Sequence, residues 1–223
     1  MDRITNFPLL DETGQEIVSS LDEINNSMGD YIASNNPYYA YLEDRKIGTL
    51  VSTEITEVRE YGLYKRFSLI AIDLPKCTNV GERAVGYCSA LETVNLPECT
   101  NVGDSVFLEC KKLQNVNIPK CTIIGDSAFE RCNNLKKIDL TVVEKIKAYA
   151  FWNCELLECV KILNTKTVCT LVNKSAFSNT PIENGTGYIY VPDALVNEYK
   201  KATNWSVFAN QIKPLSEYVE SEA

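Results

Sequence analysis

The chain contains no histidine among its 223 residues. Without an imidazole, the Ser-His-Asp and Cys-His arrangements of nucleophilic catalysis are excluded, and so is metal ligation by histidine. The sequence also lacks the phosphate-binding patterns G-x-x-x-x-G-K-S/T and G-x-G-x-x-G. Its acidic residues are scattered and do not form the carboxylate pair of a glycosidase. We therefore predict a protein that is not an enzyme and that uses no cofactor or metal ion.

Long apolar runs are also missing. No run approaches the roughly 20 residues that a membrane-spanning helix needs, so we expect no insertion into a membrane. The first residues, MDRITNFPLLD, do not combine a basic segment with an apolar one and do not match an export signal. We therefore expect synthesis in the cytoplasm, and we favour cell-surface display less.

The net charge of −8 is concentrated near the start of the chain. Residues 1–60 carry 12 acidic and 4 basic side chains, whereas the remaining residues carry equal numbers of each sign. An acidic segment repels phosphate backbones. We therefore expect no nucleic-acid partner.

The nine cysteines reveal an internal repeat. Six of them follow one another every 11 residues, at Cys77, Cys88, Cys99, Cys110, Cys121 and Cys132, and Cys154 comes 22 residues after the last of these. The repeating unit is therefore 22 residues long, with two cysteine positions half a period apart. We count six units, at 55–76, 77–98, 99–120, 121–142, 143–164 and about 169–192.

Each unit has the pattern of one short strand and one tight turn. Val94 and Leu96 alternate with polar neighbours, which is the period-2 signature of a strand with one buried face. A proline ends the strand at 75, 97 and 119. We predict that the glycines at 81, 103 and 125 adopt unusual dihedral angles, and that the next residue, Asp104 or Asp126, caps a short helical turn. Phe107 and Phe129 on that turn should fill the interior.

The repeat C-T-x-V/I-G-D-x-A-F-x-x-C-x-x-L-x-x-V/I-N/D-L-P resembles the BspA-like family of leucine-rich repeats over residues 55–192. The later stretch IYVPDALVNEYKKATNWS resembles the ending that often closes such arrays. The resemblance implies an α/β repeat solenoid, a right-handed leucine-rich-repeat array with short parallel strands, and roles in binding proteins or surfaces in bacteria and their phages. We expect an N-terminal segment at 1–54, the array at 55–192 and a C-terminal cap at 193–223.

The two ends should cover the exposed rungs of the array. At the C-terminus, we predict that Asp193 caps a helix over about 194–202 and that Trp205, Phe208 and Ile212 belong to a second short segment. At the N-terminus, Thr13 and Glu16 match a capping box that opens a helix. Its apolar residues have heptad spacing, at Ile17, Leu21, Ile24, Met28 and Tyr31. Such a helix either packs on the array or forms a homo-oligomeric or docking contact.

The cysteines are interpreted as core residues. Zinc sites use closely spaced cysteine pairs, which an 11-residue spacing does not provide. Equivalent cysteines on successive rungs would lie about 4.8 Å apart, which is beyond the Cβ separation that a disulfide prefers. Cys159 is out of register and falls on an outward strand position, so we predict that it is the most reactive thiol.

Outward strand positions form the candidate binding face, and its partner would be a protein or a glycan. The candidate residues are Asp73, Thr93, Asn95, Asn115, Asn117, Lys137, Asp139, Lys161, Tyr188 and Tyr190. Solubility of the strand face alone would also explain the Asp and Asn side chains. The first functional hypothesis is a binding or display protein, such as an accessory phage virion protein that decorates a capsid or forms a fibre. The alternatives are a fragment of a bacterial surface adhesin and an intracellular enzyme.

Overall fold

The computed structural model describes residues 3–4, 9–10, 16–18 and 48–220. Most of the chain coils into stacked rungs that share two columns of parallel strands. The first strand column comprises Arg3–Ile4, Thr49–Val51, Ala71–Asp73, Thr93–Asn95, Asn115–Asn117, Lys137–Leu140, Cys159–Ile162, Tyr188–Val191 and Ile212–Pro214. The second strand column comprises Glu57–Val58, Asn79–Val80, Asn101–Val102, Ile123–Ile124, Lys145–Ile146 and Thr170–Leu171.

The strand register follows the 22-residue repeat. In the first column Ile72 pairs with Val94, and Val94 pairs with Val116. In the second column Asn79 pairs with Asn101. Val94 and Leu96 are buried and Thr93 and Asn95 are partly exposed, so the predicted alternation is confirmed. The parallel-strand solenoid inferred from the cysteine spacing is therefore present.

A row of stacked phenylalanines runs through the interior. The ring centroids are 5.1 Å apart for Phe107 and Phe129, 5.3 Å for Phe129 and Phe151, and 5.5 Å for Phe151 and Phe177. All four rings are fully buried. The prediction that Phe107 and Phe129 fill the interior is confirmed, and stacking on neighbouring rungs contributes to the burial of each ring.

The glycine that recurs in three repeats has a different role from the predicted one. Gly81, Gly103 and Gly125 do not have positive φ angles; positive φ occurs instead at residues such as Ser105 (56°) and Ser127 (54°). A Cβ atom on Gly125 would lie only 2.5 Å from the carbonyl carbon of Gly103. Glycine is required here because consecutive rungs approach closely, so the prediction of unusual dihedral angles was wrong.

The aspartates after these glycines join successive rungs. Asp104 Oδ1 accepts a hydrogen bond from Asp126 N at 2.8 Å, and Asp126 Oδ1 accepts one from Ala148 N at 3.1 Å. Residues 104–109 form turns and not a helix. The predicted helix caps were therefore wrong, and the repeat forms a β-solenoid and not the predicted α/β unit.

Two series of buried thiols line the core. Cys110 Sγ donates to Val85 O at 3.3 Å and Cys132 Sγ donates to Phe107 O at 3.2 Å, in each case to a residue 25 positions earlier. In the other series, Cys99 Sγ donates to Asn101 O at 3.3 Å. Burial raises the pKa of the Cys110 and Cys132 thiols well above its usual value. These cysteines are core residues, as predicted.

The C-terminal segment adds another strand and little helix. Its α-helix covers only Val196–Tyr199, and Asp193 lies within the preceding 3₁₀ turn, where its carboxylate accepts from Ser216 N. The predicted helical cap with Asp193 as its N-cap is therefore not confirmed. Trp205 covers the last rung, and its Nε1 donates to Cys169 O at 2.6 Å. The chain then pairs Ile212–Pro214 with the first strand column.

The predicted N-terminal helix is not confirmed either. Glu16–Val18, which contains Ile17, is a strand that pairs antiparallel with Leu9–Leu10. The other seam residues lie outside the described residues: Leu21, Ile24, Met28 and Tyr31. Within the described ranges, no helix has both the length and the apolar character to cross a membrane.

Candidate functional site

The candidate binding residues lie side by side on the outward face of the first strand column. Asp73 pairs with Asn95 and Asn95 pairs with Asn117, whereas Asp139 pairs with Lys161 and Lys161 pairs with Tyr190. The other candidates occupy the row two residues earlier, at Thr93, Asn115, Lys137 and Tyr188. None of the ten is buried. The structure therefore brings all of them onto one surface.

A ladder of side-chain hydrogen bonds crosses three rungs of this surface. Asn95 Nδ2 donates to Asp73 Oδ1 at 2.7 Å, and Asn117 Nδ2 donates to Asn95 Oδ1 at 2.6 Å. We name these three residues the amide ladder. An ionised carboxylate only accepts hydrogen bonds, so Asp73 sets the orientation of both amides. The ladder therefore ends with Asn117 Oδ1, an acceptor, on the side of the next rung.

The first strand column is interrupted at this point. Its strands form a five-stranded sheet that ends at Asn115–Asn117 and a four-stranded sheet that begins at Lys137–Leu140. The second strand column continues without a break past the same rungs. The interruption is therefore confined to the first strand column, which carries the candidate binding residues.

A cleft of about 530 Å³ lies at this interruption. We name it the ladder cleft. Asn115, Asn117, Lys137 and Asp139 line it from the two separated strands, and Val116, which is partly exposed, lies at its base. Lys161 and Glu220 also line it. Its volume lies within the range of about 300–1,000 Å³ that is typical of small-molecule sites.

An ion pair lies on the side of the cleft that the later rungs form. Lys161 Nζ lies 2.8 Å from Asp139 Oδ2 and 4.5 Å from the ring centroid of Tyr218. Burial alone would lower the pKa of Lys161, but the hydrogen bond with Asp139 and the negative charge of that carboxylate together outweigh it and raise that pKa. Lys161 is therefore a fixed positive charge at neutral pH.

The C-terminal residues cross the same face. The ring of Tyr218 packs on Tyr190 with centroids 5.0 Å apart, and Glu220 Oε1 lies 3.5 Å from Lys137 Nζ. Tyr188 remains exposed beside them, with 38% of its surface accessible. Tyr218 and Glu220 were missed in the sequence because nothing in a repeat pattern shows where the chain after the last repeat returns.

A second surface was also missed. Residues with positive φ recur at two positions of each turn, and several of their side chains are aromatic or basic. Tyr64 contacts Tyr61 and Tyr87 edge to face, with centroids 5.2 Å and 5.5 Å away. On a later rung, Arg131 lies 5.2 Å from the ring centroid of Trp152. The alignment of units could have revealed this surface, since these residues share repeat positions.

The outward face of the first strand column combines polar, charged and aromatic side chains. Among the described residues, no three Cys, Asp or Glu side chains are grouped so that they could hold a metal ion. The thiol of Cys159 is only partly exposed, and burial raises its pKa to about 11. The arrangement offers hydrogen-bonding groups, two ion pairs and aromatic rings, which are the means of non-covalent recognition.

Comparison with known proteins identifies the repeat. The model of the BspA type leucine-rich repeat region matches residues 56–184 in six copies. No curated protein sequence matches the chain. The chain is similar to a leucine-rich repeat protein from Bacteroides ovatus, with 19% identity and a TM-score of 0.54 over 76% of this chain and 46% of that one. It is also similar to a leucine-rich repeat protein from T. pallidum, with 20% identity and a TM-score of 0.51 over 70% of this chain and 83% of that one. The chain thus spans less than half the length of the B. ovatus protein, and these likenesses concern the fold alone.

Proposed function

Since the chain belongs to the BspA-type leucine-rich-repeat family, we propose that it is a non-catalytic binding protein that recognises a protein or a glycan. The recognition surface is the outward face of the first strand column. The observation that carries this proposal is the set of ten polar and aromatic side chains that the strand register aligns there, from Asp73 to Tyr190. Rigid columns of this kind present side chains at fixed positions before any ligand binds, which lowers the entropic cost of association.

The exposed tyrosine is the strongest single contact residue on this face. Tyr188 lies next to Tyr190, with ring centroids 6.3 Å apart, and Lys213 Nζ lies 5.8 Å from the Tyr188 centroid. Tyrosine combines a large contact area with a hydroxyl group and is enriched at binding surfaces. A ligand that spans the face would contact the tyrosines at one end and the amide ladder at the other.

The proposed setting is an accessory phage virion protein, assembled in the cytoplasm and attached through its N-terminal segment as an oligomer or by docking. A bacterial surface adhesin is the alternative. Both follow from the resemblance to BspA-like repeats, whose members bind proteins or surfaces in bacteria and phages. An antibody against the chain, applied to purified phage particles and to fractionated bacterial envelopes, would distinguish the two settings.

Site-specific photocrosslinking tests the recognition surface. A photoreactive phenylalanine derivative is introduced at position 188 and, for comparison, at position 149. Tyr149 is 50% exposed and lies in a turn outside the first strand column. The probes are arrays of purified proteins and of defined oligosaccharides. We expect crosslinks at position 188 and at least a tenfold weaker signal at 149. A stronger signal at 149, or a Tyr188→Ala variant that binds like the wild type, would contradict the proposal.

A further inference from the structure

We propose that the ladder cleft is a binding site for a neutral saccharide, an inference that rests on the proposed function and names a ligand class for its surface. The cleft lies at the break in the first strand column between Asn115–Asn117 and Lys137–Leu140. The hydrogen-bonding groups, the width and the charge of the cleft each restrict the ligand that it can bind.

Two acceptors meet at the break. The amide ladder leaves Asn117 Oδ1 on the side of the next rung, where the equivalent residue is Asp139. A carboxylate cannot donate a hydrogen bond to that oxygen, and its oxygen Oδ2 is engaged by Lys161 instead. The ladder cannot continue across the cleft without an added group that donates to both Asn117 and Asp139.

The separated strands also leave backbone groups without a ladder partner. At the preceding interface, Leu96 N donates to Asn117 O at 2.9 Å and Asn115 N donates to Glu92 O at 3.1 Å. Equivalent strand pairing is absent between Asn115–Asn117 and Lys137–Leu140 within the described part of the chain. Groups of this kind require water or a ligand as a partner.

The width of the cleft excludes an inserted peptide strand. In the turns that precede the two separated strands, Glu109 N donates to Glu130 O at 2.8 Å. In the second strand column, which follows them in the chain, Ile124 pairs with Ile146. Both flanks therefore hold the two rungs at one strand spacing, about 4.8 Å. A peptide inserted as a strand needs twice that separation, so the ligand is a small molecule or the end unit of a chain.

Charge and polarity select a neutral, hydroxyl-rich ligand. Lys137 and Lys161 contribute two positive charges, which the carboxylates of Asp139 and Glu220 balance. Sugar hydroxyls both donate and accept, so two of them can donate to Asn117 Oδ1 and to Asp139 while their oxygens accept from the lysine ammonium groups. Val116 at the base offers an apolar surface to the C–H face of a sugar ring.

The experiment begins with the full chain on an array of neutral oligosaccharides that contain glucose, galactose, mannose or N-acetylglucosamine. Sulfated and sialylated saccharides and purified proteins are included as other probes. The strongest neutral saccharide is then titrated into ¹⁵N-labelled protein. We expect the side-chain amide signals of Asn115 and Asn117 to shift and those of Asn184, which is exposed elsewhere, to stay unchanged.

Asp139→Asn is the decisive variant. The introduced amide can donate to Asn117 Oδ1 and extend the ladder, so we expect saccharide affinity to fall at least tenfold. Glu155→Gln, which removes an exposed carboxylate that does not line the cleft, is the control, and we expect its affinity to stay within threefold of the wild type. Val116→Phe, which fills the base of the cleft, gives a second test if Asp139→Asn does not fold.

The outcomes separate this inference from the proposed function. Binding of neutral saccharides that is lost in Asp139→Asn or Val116→Phe, and kept in Glu155→Gln, supports the inference. Absence of neutral saccharide binding overturns it. If a protein or an anionic saccharide binds instead and crosslinks at position 188, the proposed function stands while the inference fails. If no probe depends on the strand face, both are overturned.

Discussion

Lys147 Nζ lies 3.0 Å from Asp104 Oδ1 and 3.5 Å from Asp126 Oδ2, so that one ammonium group joins the carboxylates of two earlier rungs. Lys147 occupies the repeat position that glycine fills in three preceding units. The hydrogen bond with Asp104 raises the pKa of Lys147. The same two carboxylates also accept backbone hydrogen bonds, so the lysine strengthens contacts that already connect the rungs.

Replacing this lysine should cost a small, pH-dependent part of the stability. We expect Lys147→Gln to lower the free energy of unfolding by about 0.5 kcal/mol at pH 8, since solvent screens such exposed pairs. A raised pKa stabilises the fold below the ordinary value of 10.5, and this contribution disappears as the pH rises through the folded pKa. Urea denaturation at pH 8 and above pH 10.5 measures it. Lys145→Gln is the control, and an equal loss at both pH values would contradict the interpretation.

The contribution of Glu109 to the free energy of unfolding has the opposite pH dependence. Its carboxylate is almost buried between Arg131 and Lys111. Burial alone would raise the pKa of Glu109, but the hydrogen bonds from Arg131 and Lys111 outweigh it and lower that pKa. We expect Glu109→Gln to lose about 1–2 kcal/mol of unfolding free energy at pH 7.

That loss should vanish in acid. A lowered pKa stabilises the fold above the ordinary value of 4.5, and the contribution is lost as the pH falls through the folded pKa. Denaturation curves at pH 7 and pH 3 for Glu109→Gln and for the control Glu130→Gln provide the test. A variant that is equally destabilised at pH 3 would show that packing, and not charge, explains its effect.

Thiol labelling should distinguish Cys159 from the other cysteines. It is partly exposed, whereas the other eight are buried. Because burial raises its pKa from 9.0 to about 11, its thiolate fraction at pH 8 is roughly 100-fold below that of an unshifted thiol. We expect one slow labelling event with Ellman's reagent in the native protein, and none in Cys159→Ala. Rapid reaction of two or more thiols in the native state would contradict this assignment.

The glycine positions should differ in their tolerance of alanine. A Cβ on Gly125 would lie 2.5 Å from Gly103 carbonyl atoms, whereas one on Gly103 would lie 3.1 Å from Val80 O. We expect Gly125→Ala to destabilise the fold by about 3 kcal/mol and Gly103→Ala by about 1 kcal/mol. Thermal melting of both variants checks the order. Equal melting temperatures would mean that the rungs can move apart at little cost.

Most of the fold could be predicted from the repeat, because the spacing of apolar residues directly indicates which positions are buried. The strand alternation at Val94 and Leu96, the stacked Phe107 and Phe129 and the cysteine columns were all predictable from the spacing of residues. The glycine and aspartate roles were not, because they depend on contacts between rungs. A single unit read alone suggests local turns and caps, whereas the actual partner of Asp104 is a residue 22 positions later.

The candidate site was predictable only in outline. Strand alternation placed Asn117 and Asp139 on the outward face. The break between their strands was not predictable, because both units have the same strand pattern. The contributions of Tyr218 and Glu220 come from outside the repeat, where no periodic signal exists.

The last strand of the first column ends the array in a particular way. Gln211 O accepts from Ile189 N, and in a parallel pair the backbone groups of alternate residues point to opposite sides, so Pro214 presents its nitrogen to the outer edge. Proline has no hydrogen on that nitrogen to offer an incoming strand. A strand that approaches this edge therefore finds one backbone donor fewer than at an edge without proline, which weakens the addition of a further strand at this rung.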